Sequence, residues 1–155
     1  MDNLATRTCR SKRAPGYFGS KATSQVLDAA IDSAVRNDAS LNILTVTQVD
    51  QITDGYSNAV LSEEDTYDAV HTTRERMDDL KAQAEKAGVR DVSIHIRFGN
   101  PKRVIAREFP KDHNNDLIVI GTTGLSGFER FVVGSVTNYV NRNAHCDVLV
   151  VQITK

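Results

Sequence analysis

The chain has 155 residues, 40% of them hydrophobic, with 19 basic and 20 acidic side chains and a formal net charge of -1. That size and apolar content suit one compact domain, and the near-balanced charge leaves no basic field to hold nucleic acid through its phosphates. Apolar runs are far shorter than the roughly 20 residues of a membrane-spanning helix, and two cysteines, Cys9 and Cys146, make neither a disulfide framework nor a zinc cluster, so a reducing cytoplasm is the simplest compartment.

In chain order, residues 1–13 carry Arg7, Arg10, Lys12 and Arg13 against Asp2 with no apolar stripe, and read as a basic, disordered leader ahead of a domain spanning 14–155. Ala14 to Phe18 is the candidate first strand. It is atypical, because Pro15 and Gly16 both disfavour a central strand. From Thr23, Val26, Leu27, Ala30, Ile31, Ala34 and Val35 recur at helical spacing on one face, predicting a helix that runs to about Asn37. Leu41 to Val46 is short and β-branched, hence a strand.

After a polar connection, Ser62-Glu63-Glu64-Asp65 supplies a cap and acids for a helix start. The stripe Val70, Met77, Leu80 and Ala84 follows, and Gly88 is placed to close the helix in a left-handed conformation. Val92, Ile94 and Ile96 alternate with Ser93, His95 and Arg97 as in a strand with one wet face. Asn100-Pro101 opens a helix that buries Val104, Ile105 and Phe109.

Leu117 to Ile120 is apolar on both faces and reads as a central strand. A short helix from Ser135 carries Val136, Tyr139 and Val140, and Val148 to Val151 is the last strand. Such alternation predicts a single-domain α/β protein with a mostly parallel sheet between layers of helices.

Between the last two strands lies "GTTGLSGFERFVVGS", Gly121 to Ser135. In open α/β sheets ligands bind beyond the carboxyl ends of the strands, where this loop sits. Gly121 and Gly124 would let backbone approach a bulky anion, and Gly134-Ser135 opens a helix whose free N–H groups attract negative charge. The same glycines could simply make turns. Neither a P-loop nor a G-x-G-x-x-G fingerprint is present.

The spacing Gly121-x-x-Gly124-x9-Gly134-Ser135 resembles the G-2x-G-9x-G-[ST] signature of the ATP-binding branch of the universal stress protein family. The likeness extends through "GSKATSQVLDAAIDSAV", "GNPKRVIAREF", "DLIVIG" and "NAHCDVLVV", from about residue 19 to the C-terminus. The resemblance implies a Rossmann-like, adenine nucleotide alpha hydrolase-like fold with five parallel strands in the order 3-2-1-4-5. It also implies ATP, with Mg or Mn, as ligand. By the same likeness Gly121, Gly124, Gly134 and Ser135 hold phosphates and ribose, Val136 and Thr137 add contacts from the helix start, and Val46 meets adenine through its backbone. It further implies a homodimer through Val148, Leu149, Val150 and Val151. The family's first strand ends in Asp-x-Ser or Asp-Gly-Ser, whereas this chain has Tyr17-Phe18-Gly19-Ser20, with Phe18 where the acid stands.

The leading function is therefore a cytoplasmic, ATP-binding stress-response module that signals through its partners. The alternative is a structural or interaction homodimer of the same fold that has lost nucleotide binding. No nucleophile-base pair or Walker lysine is visible, so an enzyme is not expected, beyond at most a slow ATPase. His71, His95, His113 and His145 lack metal-ligand spacing and read as surface or structural groups, and both thiols read as inert. Arg130, within the loop, is either a solvated charge or a phosphate contact.

Overall fold

A computed structural model describes residues 2–7, 21–47, 63–122 and 133–153. Its strands are β1 (Asp2–Arg7), β2 (Leu41–Thr47), β3 (Val92–Phe98), β4 (Leu117–Gly121) and β5 (Asp147–Val151), in one sheet ordered β3-β2-β1-β4-β5. Among the helices, α1 (Lys21–Arg36) and α2 (Glu63–Lys86) cover one face. The other face carries α5 (Ser135–Asn143) and a helical run made of α3 (Pro101–Arg103), a π-helical turn (Val104–Glu108) and α4 (Phe109–His113).

Strand period sorts the core into two halves. Leu41 and Ile43 of β2 and Val119 of β4 face α1 and α2, where they meet Val26, Leu27, Ala30, Ala34 and Met77. The alternate residues Leu44, Val46, Ile118 and Ile120 face Val104, Ile105, Phe109 and Val140. Both faces of β2 and β4 are buried, which is why β4 is a continuous apolar run, while β2 also buries the polar Asn42 and Thr45. Val35, placed by its spacing on the packed face of α1, is 46% exposed near the helix end.

The end signals at Gly88 and at Asn100-Pro101 hold, while Ser62, the expected cap of α2, lies outside the described residues. Gly88 closes α2 with φ 104°, in the region where a side chain would be strained. Asn100 caps the following helix by accepting from the Lys102 N–H at 3.0 Å, with Pro101 in the first turn. The π-helical turn has a local cause in Pro110, which has no N–H and whose ring would strike the carbonyl four residues back. The chain widens instead, and the Phe109 N–H reaches the Val104 carbonyl, five residues away.

The centre of the sheet departs from expectation. The segment expected as first strand, Ala14 to Phe18, lies outside the described residues, and the central position is held by Asp2–Arg7, within the expected leader. This strand runs antiparallel to both neighbours, with Asp2 opposite Val46 and Arg7 opposite Leu41 on β2, and Ala5 opposite Val119 on β4. Only the β2–β3 and β4–β5 pairings are parallel, so the sheet is mixed where a mostly parallel one was expected. The physical reason lies in the neighbours: the buried edges of β2 and β4 require backbone partners, and a polar segment supplies N–H and C=O groups as well as an apolar one does.

Candidate functional site

The carboxyl ends of β2 and β4 and the start of α5 meet at one end of the sheet. Gly121, the last residue of β4, is glycine for a packing reason. A Cβ there would lie 3.2 Å from Ile153 Cδ1 and 3.3 Å from Val26 Cγ2, so the strand end is pressed between α1 and the residues that follow β5. Its carbonyl accepts a 2.7 Å hydrogen bond from Thr137 Oγ1, which fixes the first turn of α5 to the tip of β4. Thr137 is buried, so its hydroxyl belongs to this tie and is not offered outward.

Gly134 is the N-cap residue of α5, with φ -58° and ψ 153°, and it supplies no side-chain cap. Among the described residues no side chain caps the first-turn N–H groups of Ser135, Val136 and Thr137, the positive end of the helix, where an anion is favoured. Ser135 is exposed there, whereas Val136 packs into the core beside α5. Gly124 and Arg130 lie outside the described residues.

Thr122 is a structural member of this end that the glycine pattern passes over. Its N–H donates to the Val151 carbonyl at 2.9 Å, its carbonyl accepts from the Gly134 N–H at 2.7 Å, and its hydroxyl oxygen accepts from the Ile153 N–H at 3.3 Å. Both sides of the glycine loop are therefore tied to the sheet by one residue. A threonine at the exit of an apolar strand was the available signal.

On the other side of β1, Val46 is fully buried and gives its side chain to the core, with Asp2 opposite it on β1 and Arg97 opposite it on β3. The next residue, Thr47, passes the end of β1, pairs with Phe98, and accepts from the Gly99 N–H at 3.0 Å. Because β1 is antiparallel, its first residue, Asp2, stands level with Val46 at this end of the sheet.

Histidines far apart in sequence do meet elsewhere. The rings of His95 on β3 and His113 at the end of α4 are 4.7 Å apart, and each contacts the Phe109 ring. His95 Nε2 shares a 2.6 Å hydrogen bond with Asn42 Oδ1, an amide oxygen that only accepts, so the Nε2–H donates. This is packing at the edge of the sheet, and no group of three His, Cys, Asp or Glu side chains among the described residues could hold a metal ion. The Cys146 thiol, half-buried ahead of β5, is pushed from 9.0 up to about 11, chiefly by burial and then by the charges of Asp116 and Asp147. Such a thiol stays protonated and weakly nucleophilic, as the sequence suggested.

Comparison with known proteins accords with this architecture. The sequence profile described as the universal stress protein family matches residues 16–152. A relative from Staphylococcus aureus strain USA300, whose name assigns it to the universal stress proteins, is 40% identical over 135 residues, covering 86% of this chain and 79% of the relative. Among solved structures, the universal stress protein UspA from Lactobacillus plantarum superposes with a TM-score of 0.75 at 29% identity, covering 95% of this chain and 99% of that one. A universal stress protein in complex with cAMP gives 0.67 at 22% identity, covering 95% and 99%. One from Archaeoglobus fulgidus in complex with dAMP gives 0.59 at 18% identity, covering 93% and 97%. The chain belongs to the universal stress protein family.

Proposed function

We propose that this member of the universal stress protein family binds ATP at the carboxyl end of its sheet and works as a nucleotide-dependent binding or signalling module of the cytoplasm, not as an enzyme. The observation that carries the reading is the start of α5: three first-turn residues, Ser135, Val136 and Thr137, follow an N-cap glycine with no side-chain cap, and the Thr137–Gly121 bond holds that turn against β4. Phosphate on such a turn gains from both the free N–H groups and the helix dipole. The cAMP and dAMP complexes of related folds support an adenine nucleotide as the class of ligand. Gly121, Gly124, Gly134 and Ser135 would hold the phosphates and ribose, Val136 and Thr137 would contribute backbone, and the end of β2 at Val46 would receive the base. Mg or Mn would enter with the triphosphate, whose oxygens suit a hard cation.

Calorimetric titration of ATP tests the site. Gly124→Val and Gly134→Val should each weaken binding at least about tenfold, or roughly 1.4 kcal/mol, because a β-branched side chain keeps phosphate from the backbone. Unchanged affinity in both would refute the assignment.

The same reading includes a homodimer through β5. That strand lies at the edge of the sheet, Leu149 is 41% exposed, and an apolar edge with unpaired backbone groups is a template for a second copy. The second reading, an interaction dimer without nucleotide, is favoured by Phe18 at the family's acidic position and by the antiparallel strand at the sheet centre. Native mass spectrometry of freshly purified protein separates the two, since bound nucleotide and subunit number appear in one spectrum.

A further inference from the structure

At the opposite end of the sheet from the glycine loop, a cavity of about 540 Å³ opens between the π-helical turn, α4 and the start of β5. Its floor includes the buried Ala106 and Pro110 and the half-buried Cys146, while Arg107, Lys111 and His145 stand exposed around it. That volume falls within the range of small-molecule sites, about 300–1,000 Å³, and the layout is an apolar base under a polar rim.

The charge of the rim is decided by which side chains are already paired. Glu108 is the one acid in the lining, and Arg103 holds it at 3.2 Å. Arg107 donates one N–H to Asn143 Oδ1 at 3.4 Å, which orients the guanidinium and leaves its other donors for a ligand. Lys111 follows four residues later on the same helical run, so two cations border one side of the opening. Asp116 and Asp147 lie outside the lining but their charges reach Cys146, so an anionic group is disfavoured on that side and belongs on the side of Arg107 and Lys111. An anionic group is therefore favoured at the rim and an uncharged body over the floor.

A separate observation falls on the same residues. Ala106, Arg107 and Glu108 belong to the π-helical turn, a rare geometry that recurs at functional sites, and Pro110, which forces it, is itself part of the floor. The turn that widens the helix is the turn that forms the wall of the cavity.

We propose that this cavity is a second ligand site, distinct from the glycine loop, for a small organic anion. Arg107 and Lys111 bind its phosphate or carboxylate group, and its apolar body rests on Ala106, Pro110 and Cys146. The fold links the two ends: α5 begins at the glycine loop and ends at Asn143, the partner of Arg107.

The test is an amide-shift titration of the full chain, carrying Cys9→Ser, with phenyl phosphate and separately with benzoate. Saturable shifts at Asn114, His145 and Cys146 are expected with at least one of the two probes, and the probe that binds more tightly identifies the anionic group. Replacing both Arg107 and Lys111 with alanine should weaken that binding about tenfold or more, while Arg107→Lys and Lys111→Arg should largely retain it. Gly134→Val should leave it unchanged. Shifts confined to the region of Gly121 and Ser135, absence of saturation with both probes, or equal affinity in the double alanine variant would overturn the proposal. The replaced side chains are exposed, so the variants should fold as the parent does.

Discussion

Two strands reach the Gly121 end of this sheet from its interior, and they are built on opposite terms. β4 is apolar on both faces, runs parallel to β5, and ends in a glycine wedged against Ile153 and Val26 with its carbonyl held by Thr137. β1 is the polar segment Asp-Asn-Leu-Ala-Thr-Arg, antiparallel to both neighbours, and precedes the residues 16–152 that the family profile matches. The difference separates two requirements of a central strand. Side-chain packing specifies which residues β4 must contain, whereas the pairing that closes the gap between β2 and β4 is made by backbone groups in register.

The most forceful way to break that comparison is to remove a donor from β1. Ala5 lies opposite Ile43 on one side and Val119 on the other. Ala5→Pro should cost on the order of 3 kcal/mol, since proline in the middle of a sheet deletes a ladder hydrogen bond and bends the strand. Urea unfolding reads the change. A cost below about 0.5 kcal/mol, the range of ordinary surface substitutions, would show that β1 does not hold the centre.

Next in size is Gly121→Val, which attacks β4 through its side chains. A Cβ at 3.2 and 3.3 Å from Ile153 and Val26 already crowds the site, and the branched methyls add to it. Overpacking of this kind costs about 1–3 kcal/mol, which in a domain of this size lowers the melting temperature by roughly 2–4 °C for each kcal/mol. Gly121→Ala should cost less. If valine is accommodated without loss of stability, the strand tip is looser than the packing distances state, and a ligand-directed role for this glycine regains weight.

These two strands also mark what could be read from the sequence. Periodicity and composition place every element that carries its own apolar face: α1 from Val26, Leu27 and Ala30, β2 from the β-branched stretch Leu41 to Val46, β4 from its continuous run, and α5 from Val136 and Val140. Local end signals at Gly88, Asn100 and Pro101 work because each acts on its own backbone. β1 has no such signature, since its place is set by the gap its neighbours leave. Within the site, the helix start at Ser135 is legible from glycine spacing, but the work of Thr122 and Thr137 is not. Their hydroxyls bond to backbone atoms brought near only by the crossover between β4 and β5. The meeting of His95 with His113, and the widening of the helix at Pro110, likewise depend on what packs opposite.

A smaller effect isolates the tie between β4 and α5. Thr137→Val keeps the shape of the side chain and deletes the 2.7 Å donor to the Gly121 carbonyl. The loss should be about 1–2 kcal/mol, the usual cost of leaving a buried acceptor unpaired, and Thr137→Ser should recover most of it. If the tie also aligns the α5 N–H groups for phosphate, ATP affinity should fall in the valine variant and return in the serine one. Stability lost with no change in affinity would confine Thr137 to a structural role.

The smallest expected effect measures how firmly the β4–β5 half is closed at its other end, where Cys146 precedes β5. Burial, with Asp116 and Asp147 adding to it, raises the folded thiol from 9.0 to about 11. Below pH 9 the thiol is neutral in folded and unfolded chains alike, and the full stability is present. Between pH 9 and 11 the unfolded chain gives up the proton while the folded chain retains it, so deprotonation favours unfolding and stability falls. The contribution should be about 1 kcal/mol once solvent screening at this half-exposed position is allowed for. The quantity to read is the difference between the parent and Cys146→Ala across that range, which isolates the thiol. A steeper fall in the parent is expected. Parallel curves would mean that the start of β5 admits enough water to leave the thiol at its ordinary value, and that the close packing at Gly121 does not extend to the other end of the β4–β5 pair.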